Sequence, residues 1–365
     1  MKRLLCITAN MNAGGAETFL MKIYRNIDKS KYQMDFVVSY SGKNFYEDEI
    51  KKMGGKIFYV PPKSKNFIKS FFGIKKIVKD NNYIYVIRVN EHSLSTIDLL
   101  AARFGGAKKI IMRSSNANSG SSFKVFLHKI FRPLAIVVPN IKIAPSTEAA
   151  KYTFGKKQVE KQKVIILKNG LDIEQFTFDS EVRNKIRDDL KLNDKFVVGH
   201  IGRFNEQKNH LKLIEIFNEL HKKNSKSILV LVGKGTLEEQ IKSKVKQFRL
   251  EHCVLFLGEK SNVSQLLFAF DVLVFPSIYE GMPNVIIESQ TTGLKCIVSD
   301  SITKEANVNG LVEFLSLSAP IEKWCNEILK NNNINRTKSA SQMKDCGYDI
   351  IDVTRKFEKI IFGGD

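Results

Sequence analysis

Val272-Leu273-Val274-Phe275 followed by Glu280-Gly281-Met282-Pro283-Asn284-Val285-Ile286-Ile287-Glu288 reads as a short strand, a turn and the start of a helix. Four apolar residues make a buried strand, and Gly281 loosens the turn. Pro283 suits a first helical position, and Val285-Ile286-Ile287 open a short buried helix. Glu280 falls in the turn beyond the strand, and Glu288 falls a turn or more inside the helix beside apolar neighbours, where an idle carboxylate is costly. Carboxylates accept hydrogen bonds from vicinal hydroxyls, so one glutamate suits a hexose and the other a ribose. The plainer alternative is a surface turn followed by an ordinary helix glutamate.

Working outward, the same strand–turn–helix unit recurs along the chain. Strands are expected at 196–201, 227–232, 254–257 and 296–298 around this stretch, and at 4–9, 35–39, 56–60, 84–89, 109–112 and 141–144 in the first half. Helical patterns lie between them, for example at 17–27, 67–79, 94–104 and 211–221. Alternation with short connections predicts parallel sheets covered on both faces. Two such series in 365 residues predict an α/β chain of two Rossmann-like domains. The join falls in the polar stretch 169–194, where periodicity is weakest. Ligands of such folds sit beyond the carboxyl ends of the strands.

Two further junctions carry candidate chemistry. Asn12-Ala13-Gly14-Gly15-Ala16-Glu17 follows the first strand and opens a helix, and paired glycines let a ligand approach the amides of a helix start. It is not a GxGxxG, and the acid expected about 20 residues on in a dinucleotide fold is missing. Gly202-Arg203-Phe204-Asn205-Glu206-Gln207-Lys208-Asn209 follows another strand. Arg203 leaves the strand end, and Lys208 is expected in or near the first turn of the next helix, where a cation opposes the helix dipole. Pointing into one gap, the two make a two-pronged clamp for a diphosphate. Pointing elsewhere, they are a solvated basic loop.

The composition excludes several classes. Five scattered cysteines without CxxC spacing argue for reduced thiols in a cytoplasmic compartment and against a disulfide or zinc framework. No run approaches the length of a membrane span, and the apolar residues after Lys2-Arg3 are too few for a signal peptide. There is no Asp-x-Asp, no HExxH and no cysteine–histidine cluster, so no metal or other cofactor is expected and a diphosphate would be met by Arg203, Lys208 and helix N-termini. His200, His210, His221 and His252 read as strand or surface residues. His92, in Asn90-Glu91-His92 after a strand, has a ligand-facing address. The net charge of +20 is lopsided: residues 1–180 hold 31 Lys and Arg against 14 Asp and Glu, +17, leaving +3 for the rest. The first half is built to meet something negative.

Taken together, these loops resemble retaining glycosyltransferases of family 4. The resemblance spans nearly the whole chain, including Ile166-Leu167-Lys168-Asn169-Gly170-Leu171-Asp172, Leu231-Val232-Gly233-Lys234-Gly235 and a closing helix near 350–361. It implies the GT-B fold, two facing Rossmann-like domains with an interdomain cleft. Residues 1–175 with a returning helix at 348–365 would form the acceptor domain, and 176–347 the donor domain. It implies a nucleotide-diphosphate sugar, by family habit a UDP-sugar, as donor. Arg203 and Lys208 would hold the diphosphate, Glu280 with Gly281, Met282, Pro283 and Asn284 the transferred sugar, and Glu288 the ribose. Gly14 and Gly15 would face the phosphates from the other domain. Glu280, Arg203 and Lys208 are the catalytic candidates, transfer proceeding with retention and without a metal. The first domain departs from the family pattern, with Arg88-Val89-Asn90-Glu91-His92 and Arg113-Ser114-Ser115-Asn116 where histidines are common, so His92 is only a candidate acceptor or sugar contact.

The chain also resembles bacterial enzymes of capsule, exopolysaccharide or lipopolysaccharide biosynthesis, whose acceptors are lipid-linked glycans at the inner face of the membrane. Two segments, 67–79 and 123–132, interleave phenylalanines and isoleucines with lysines, the pattern of a helix lying on an anionic membrane surface. Packing on the chain's own sheet with lysines outward gives the same spacing. Among rivals, Glu280 and Glu288 are too far apart for a retaining hydrolase, whose carboxyls sit about 5–5.5 Å apart. A nucleotide-sugar epimerase of the same fold stays open as the alternative. A basic nucleic-acid-binding protein is the second alternative, although no recognition module is present, and nucleic acid is not expected as a partner.

Overall fold

The computed structural model describes residues 1–365 except 13, 40–41, 91–92, 116–121, 331–334 and 364–365. The chain forms two compact units, Met1–Leu171 with Gly347–Asp365, and Asp172–Cys346.

The first unit is built on seven strands, β1 (Lys2–Ile7), β2 (Tyr32–Val38), β3 (Ile57–Tyr59), β4 (Tyr85–Asn90), β5 (Lys109–Ser114), β6 (Ile141–Ala144) and β7 (Ile165–Ile166). They pair in the order β3-β2-β1-β4-β5-β6-β7, every pair parallel. Side chains alternate across such a sheet. Leu4 and Cys6 therefore enter one apolar cluster and Leu5 and Ile7 another. This two-sided burial is why the strands read as continuous apolar runs. The helix Ile350–Phe362 comes back to this unit and adds Val353, Phe357 and Ile361 to the first cluster. Phe357 meets Phe19 edge-on at 6.3 Å, and Phe362 stacks on Tyr32 at 4.2 Å. The return is pinned by paired hydrogen bonds, Leu171 N to Tyr348 O and Ile350 N to Leu171 O, each 2.9 Å. Gly170 is needed here, because a Cβ would fall 2.9 Å from the Ile350 Cα.

The second unit has six strands, β8 (Phe196–Ile201), β9 (Ser227–Val232), β10 (Val254–Gly258), β11 (Val272–Phe275), β12 (Cys296–Ser299) and β13 (Val312–Leu315). Their order is β10-β9-β8-β11-β12-β13, again all parallel. The polar stretch read as an aperiodic join contains a helix, Ser180–Asp189. Its polar sequence hides it, since charge and not an apolar stripe holds it down. Arg183 Nη2 reaches Asp271 Oδ1 at 2.5 Å, and Arg187 Nη1 reaches Oδ2 at 3.2 Å.

Strand order decides where ligands gather. In each unit the winding reverses once, between β1 and β4 in the first and between β8 and β11 in the second. In sheets of this kind ligands gather beyond the carboxyl ends of the strands that flank the reversal. In the second unit the loops after those strands are 202–209 and 276–283, the two that carry Arg203, Lys208 and Glu280.

Candidate active site

The loop after β8 leaves the strand at Gly202 and forms a single 3-10 turn, Glu206–Lys208, capped by the Asn205 side chain, which accepts from the Lys208 amide. Asn209 then adopts a left-handed conformation, φ 54°, before the helix His210–Lys223 begins. Lys208 therefore lies near the first turn of that helix, two residues before it begins. The left-handed Asn209 separates the 3-10 turn from the helix, which begins within one residue of the expected 211. The cap residues of this helix and of Asn284–Thr291, Asn209 and Pro283, make no side-chain cap bond. Such ends favour anions.

Lys208 Nζ lies 2.6 Å from Glu280 Oε1, with the two side chains only 16% and 9% exposed. The ammonium also stands over the Phe275 ring, 4.6 Å from its centroid. The two loops are joined by two further hydrogen bonds, one between backbones and one from a side chain: Ile278 N donates to Gln207 O at 2.8 Å, and Gln207 Nε2 donates to Tyr279 O at 3.0 Å. Arg203 is exposed on the same loop, between the half-buried Gly202 and the buried Phe204. Phe204 ties that loop to the next one, its amide bonding Lys234 O and its carbonyl accepting from Leu237 N. Glycines 233 and 235 make this possible. A Cβ at Gly233 would strike the Gly202 carbonyl, and one at Gly235 the Phe204 backbone.

Across β11 the chain turns through Gly281 and Met282, both half-buried, to Pro283. Pro283 occupies the cap position with extended backbone, φ −74° and ψ 116°, one residue before the first helical position. Ile286 and Ile287 are buried, while Glu288 is half-buried. The next residues, Ser289 to Thr292, are fully buried. Gln290 anchors the 303–309 loop, donating to Ala306 O at 2.7 Å and accepting from Val308 N at 2.8 Å.

Beneath Lys208 lies a pair that sequence reading assigned to plain strand or surface roles. His200 and His210 are 0% and 1% exposed, their rings 4.5 Å apart, and His200 stacks on Phe275. Burial pushes His200 down to about 4, and burial followed by the neighbouring His200 pushes His210 down to about 2. Both are neutral, which lets an ammonium sit directly above them. The available signal was position: His200 is two residues before the strand-end glycine, and His210 is the first residue of the helix. His221 and His252 lie elsewhere, toward the amino ends of β9 and β10.

In the first unit Gly14 is the cap of the helix Gly15–Asn26 and Gly15 its first residue. The Glu17 carboxylate folds over Gly14, so the chain's own acid shares this helix start. His92 lies outside the described residues. At the end of β5, the fully buried Arg113 guanidinium packs 3.6 Å over the Phe19 ring and donates to Asn169 Oδ1.

The family model for glycosyl transferases group 1 matches residues 182–316, the segment that carries both loops. Over 357 residues the chain is 34% identical to EpsF of Bacillus subtilis (strain 168), named as a glycosyltransferase, covering 95% of this chain and 93% of that protein. This chain belongs to the group 1 glycosyl transferases. A second relative, the UDP-Gal:alpha-D-GlcNAc-diphosphoundecaprenol alpha-1,3-galactosyltransferase of Escherichia coli, is 24% identical over 372 residues, 92% of this chain and 94% of that one. The solved structure of Anabaena Alr3699/HepE in complex with UDP and glucose matches with a TM-score of 0.77 at 18% identity, covering 98% of this chain and 99% of that one. The fold of this group 1 glycosyl transferase is accordingly GT-B, two α/β units each on a parallel sheet. No helix among the described residues is long and apolar enough to cross a membrane.

Proposed function

We propose that this glycosyl transferase moves a hexose or N-acetylhexosamine from a UDP-sugar to a lipid-linked glycan acceptor during capsule, exopolysaccharide or lipopolysaccharide assembly, with retention and without a metal. The observation that carries the donor site is the meeting of Lys208 and Glu280 at the point where the winding of the second sheet reverses. In this reading Lys208 and Arg203 take the diphosphate, helped by the positive ends of the helices that follow the two donor-site loops. Glu280, with the turn Gly281–Asn284, accepts from sugar hydroxyls, and Glu288 accepts from the ribose. Without donor, Lys208 and Glu280 satisfy each other. Arrival of a diphosphate gives the ammonium a second anionic partner.

The chemistry asked of these groups is modest. The bond between the sugar's C1 and the phosphate oxygen breaks, a bond from C1 to the acceptor oxygen forms on the same face, and the acceptor's proton passes to the leaving phosphate. Charge grows on that phosphate, and fixed cations stabilise it with no reorganisation. Loss of one such group costs about 10²–10³ in kcat. The choice of uridine and of a lipid-linked acceptor is supported by the names of the E. coli relative and of the Anabaena complex. A role in capsule assembly is supported by a Staphylococcus aureus relative named as the capsular polysaccharide biosynthesis glycosyltransferase CapM, 26% identical over 330 residues, 81% of this chain and 82% of that one.

A panel of nucleotide sugars tests the reading. One member should raise the melting temperature and be slowly hydrolysed in excess EDTA, and turnover should vanish in Lys208→Ala and Arg203→Ala. Normal turnover by Lys208→Ala, or a strict need for manganese, overturns it.

Membrane docking belongs to the same proposal. The helix Phe67–Asp80 buries Ser70, Ile74 and Val78 and leaves Phe67, Ile68 and Phe72 exposed at 47%, 66% and 57% beside exposed Lys69 and Lys76. Phe104, Phe126 and Ile130 are exposed in the same unit. Packing alone would have turned these apolar groups inward and only the lysines outward.

A further inference from the structure

The amino-terminal edge of the second sheet, opposite the candidate donor loops, brings together three side chains that are far apart or unremarkable in sequence. His221 lies in the last turn of the helix His210–Lys223, and His252 and Cys253 immediately precede β10. One ligand atom from each of His221, His252 and Cys253 lies within 4.8 Å of the other two. The sequence showed no cysteine–histidine cluster because 31 residues separate His221 from His252. The fold closes that distance by pairing β9 with β10.

The geometry points to a transition-metal site of the zinc type, His221–His252–Cys253, with its fourth position open to water. Two imidazoles and one thiolate are a donor set that zinc takes readily. At bond lengths of about 2.0–2.1 Å to nitrogen and about 2.3 Å to sulfur, tetrahedral ligand atoms stand roughly 3.5 Å apart. Closing from 4.8 Å is a side-chain movement, and the exposed His252 is free to make most of it.

Two details fit a ligand set better than a chance contact of rings. His221 Nδ1 lies 3.2 Å from both the carbonyl and the hydroxyl oxygen of Ser227. Donating to that carbonyl, Nδ1 holds the proton and leaves Nε2 with its lone pair, the outer-shell arrangement typical of metal-bound histidine. The two rings meet at 67° with centroids 5.3 Å apart. That is an edge-on approach which keeps ring nitrogens near each other without stacking. Cys253 is buried, with its thiol 3.4 Å from the Leu250 carbonyl. Binding exchanges its proton for the metal, so sulfur–metal bond formation releases one proton to solvent.

The site is remote from Lys208 and Glu280, so its fate is independent of the donor reading. Tag-free protein, stripped with chelator and exchanged into clean buffer, is titrated with cobalt(II) alone and then zinc(II). One equivalent of cobalt should give a thiolate-to-metal charge-transfer band in the near ultraviolet, and zinc should bleach it. Zinc should also raise the melting temperature of the wild-type chain. His252→Ala, at an exposed position that does not threaten folding, should weaken zinc more than about tenfold, and Cys253→Ser should remove the band, while both keep wild-type sugar transfer. No band with wild-type protein, or an equal band in both variants, overturns the assignment.

Discussion

Lys208 and Glu280 are 72 residues apart, yet they form one of the least exposed ion pairs described in the chain. The floor under them is neutral because His200 and His210 are denied water, and this has a consequence in pH. In the unfolded chain both histidines take up protons below about pH 6.5. In the folded chain they do so only near 4 and near 2. Below 6.5 the unfolded state therefore binds more protons, and stability present at neutral pH is lost as pH falls from about 6.5 toward 4. Between pH 7 and 5.5 the pair should account for about 2–3 kcal/mol. Urea unfolding at those two pH values reads this out, and His210→Phe should remove about half of the difference. An unchanged difference in that variant would place the acid sensitivity elsewhere. Only part of this was visible in one dimension. Arg203, Lys208 and Glu280 stand out as charged residues at strand ends, but a histidine's burial depends on what packs over it, which here is Phe204 and Phe275.

At the scale of elements, apolar periodicity located most strands and failed where another force holds the chain. β7 is two residues long with both isoleucines exposed at 41% and 42%, and β13 carries the exposed Glu313, so neither makes a buried run. The helix Ser180–Asp189 is fastened by Asp271, which also accepts from Val197 N at 2.7 Å at the start of β8. Asp271→Asn should cost about 2–4 kcal/mol, since two arginines lose their counter-charge in a partly buried site. The expected result is a lower urea midpoint with an unchanged slope, and no effect on the candidate donor site's affinity at saturating stability. A loss below about 0.5 kcal/mol would mean that the helix is held by its contacts with the helix Val263–Ala269 instead.

For the molecule as a whole, the asymmetry of charge makes a prediction about surfaces. Vesicles with a substantial anionic lipid fraction should sediment with the protein at low salt and lose it as ionic strength rises, because exposed charges are screened beyond about 10 Å at 0.1 M. Ile68→Asp with Phe72→Asp should weaken this binding at least about tenfold, leaving turnover of a water-soluble acceptor analogue unchanged. Equal binding to neutral vesicles, or no loss in the double variant, would remove the helix Phe67–Asp80 from the docking surface.

What the amino-acid order determined by itself is what repeats locally: short apolar runs, turn residues at strand ends, and charged side chains placed in the turns. Those patterns are enough for an α/β chain of parallel sheets, because side-chain alternation and burial act over a few neighbouring residues. Tertiary structure alone decided which turns meet. Parallel pairing carries the chain across a helix before the next strand, so neighbours in the sheet are tens of residues apart, and the reversal of winding between β8 and β11 set Lys208 against Glu280. The same long-range pairing buried His200 and His210 and drew His221 toward His252 and Cys253, contacts that no local period encodes.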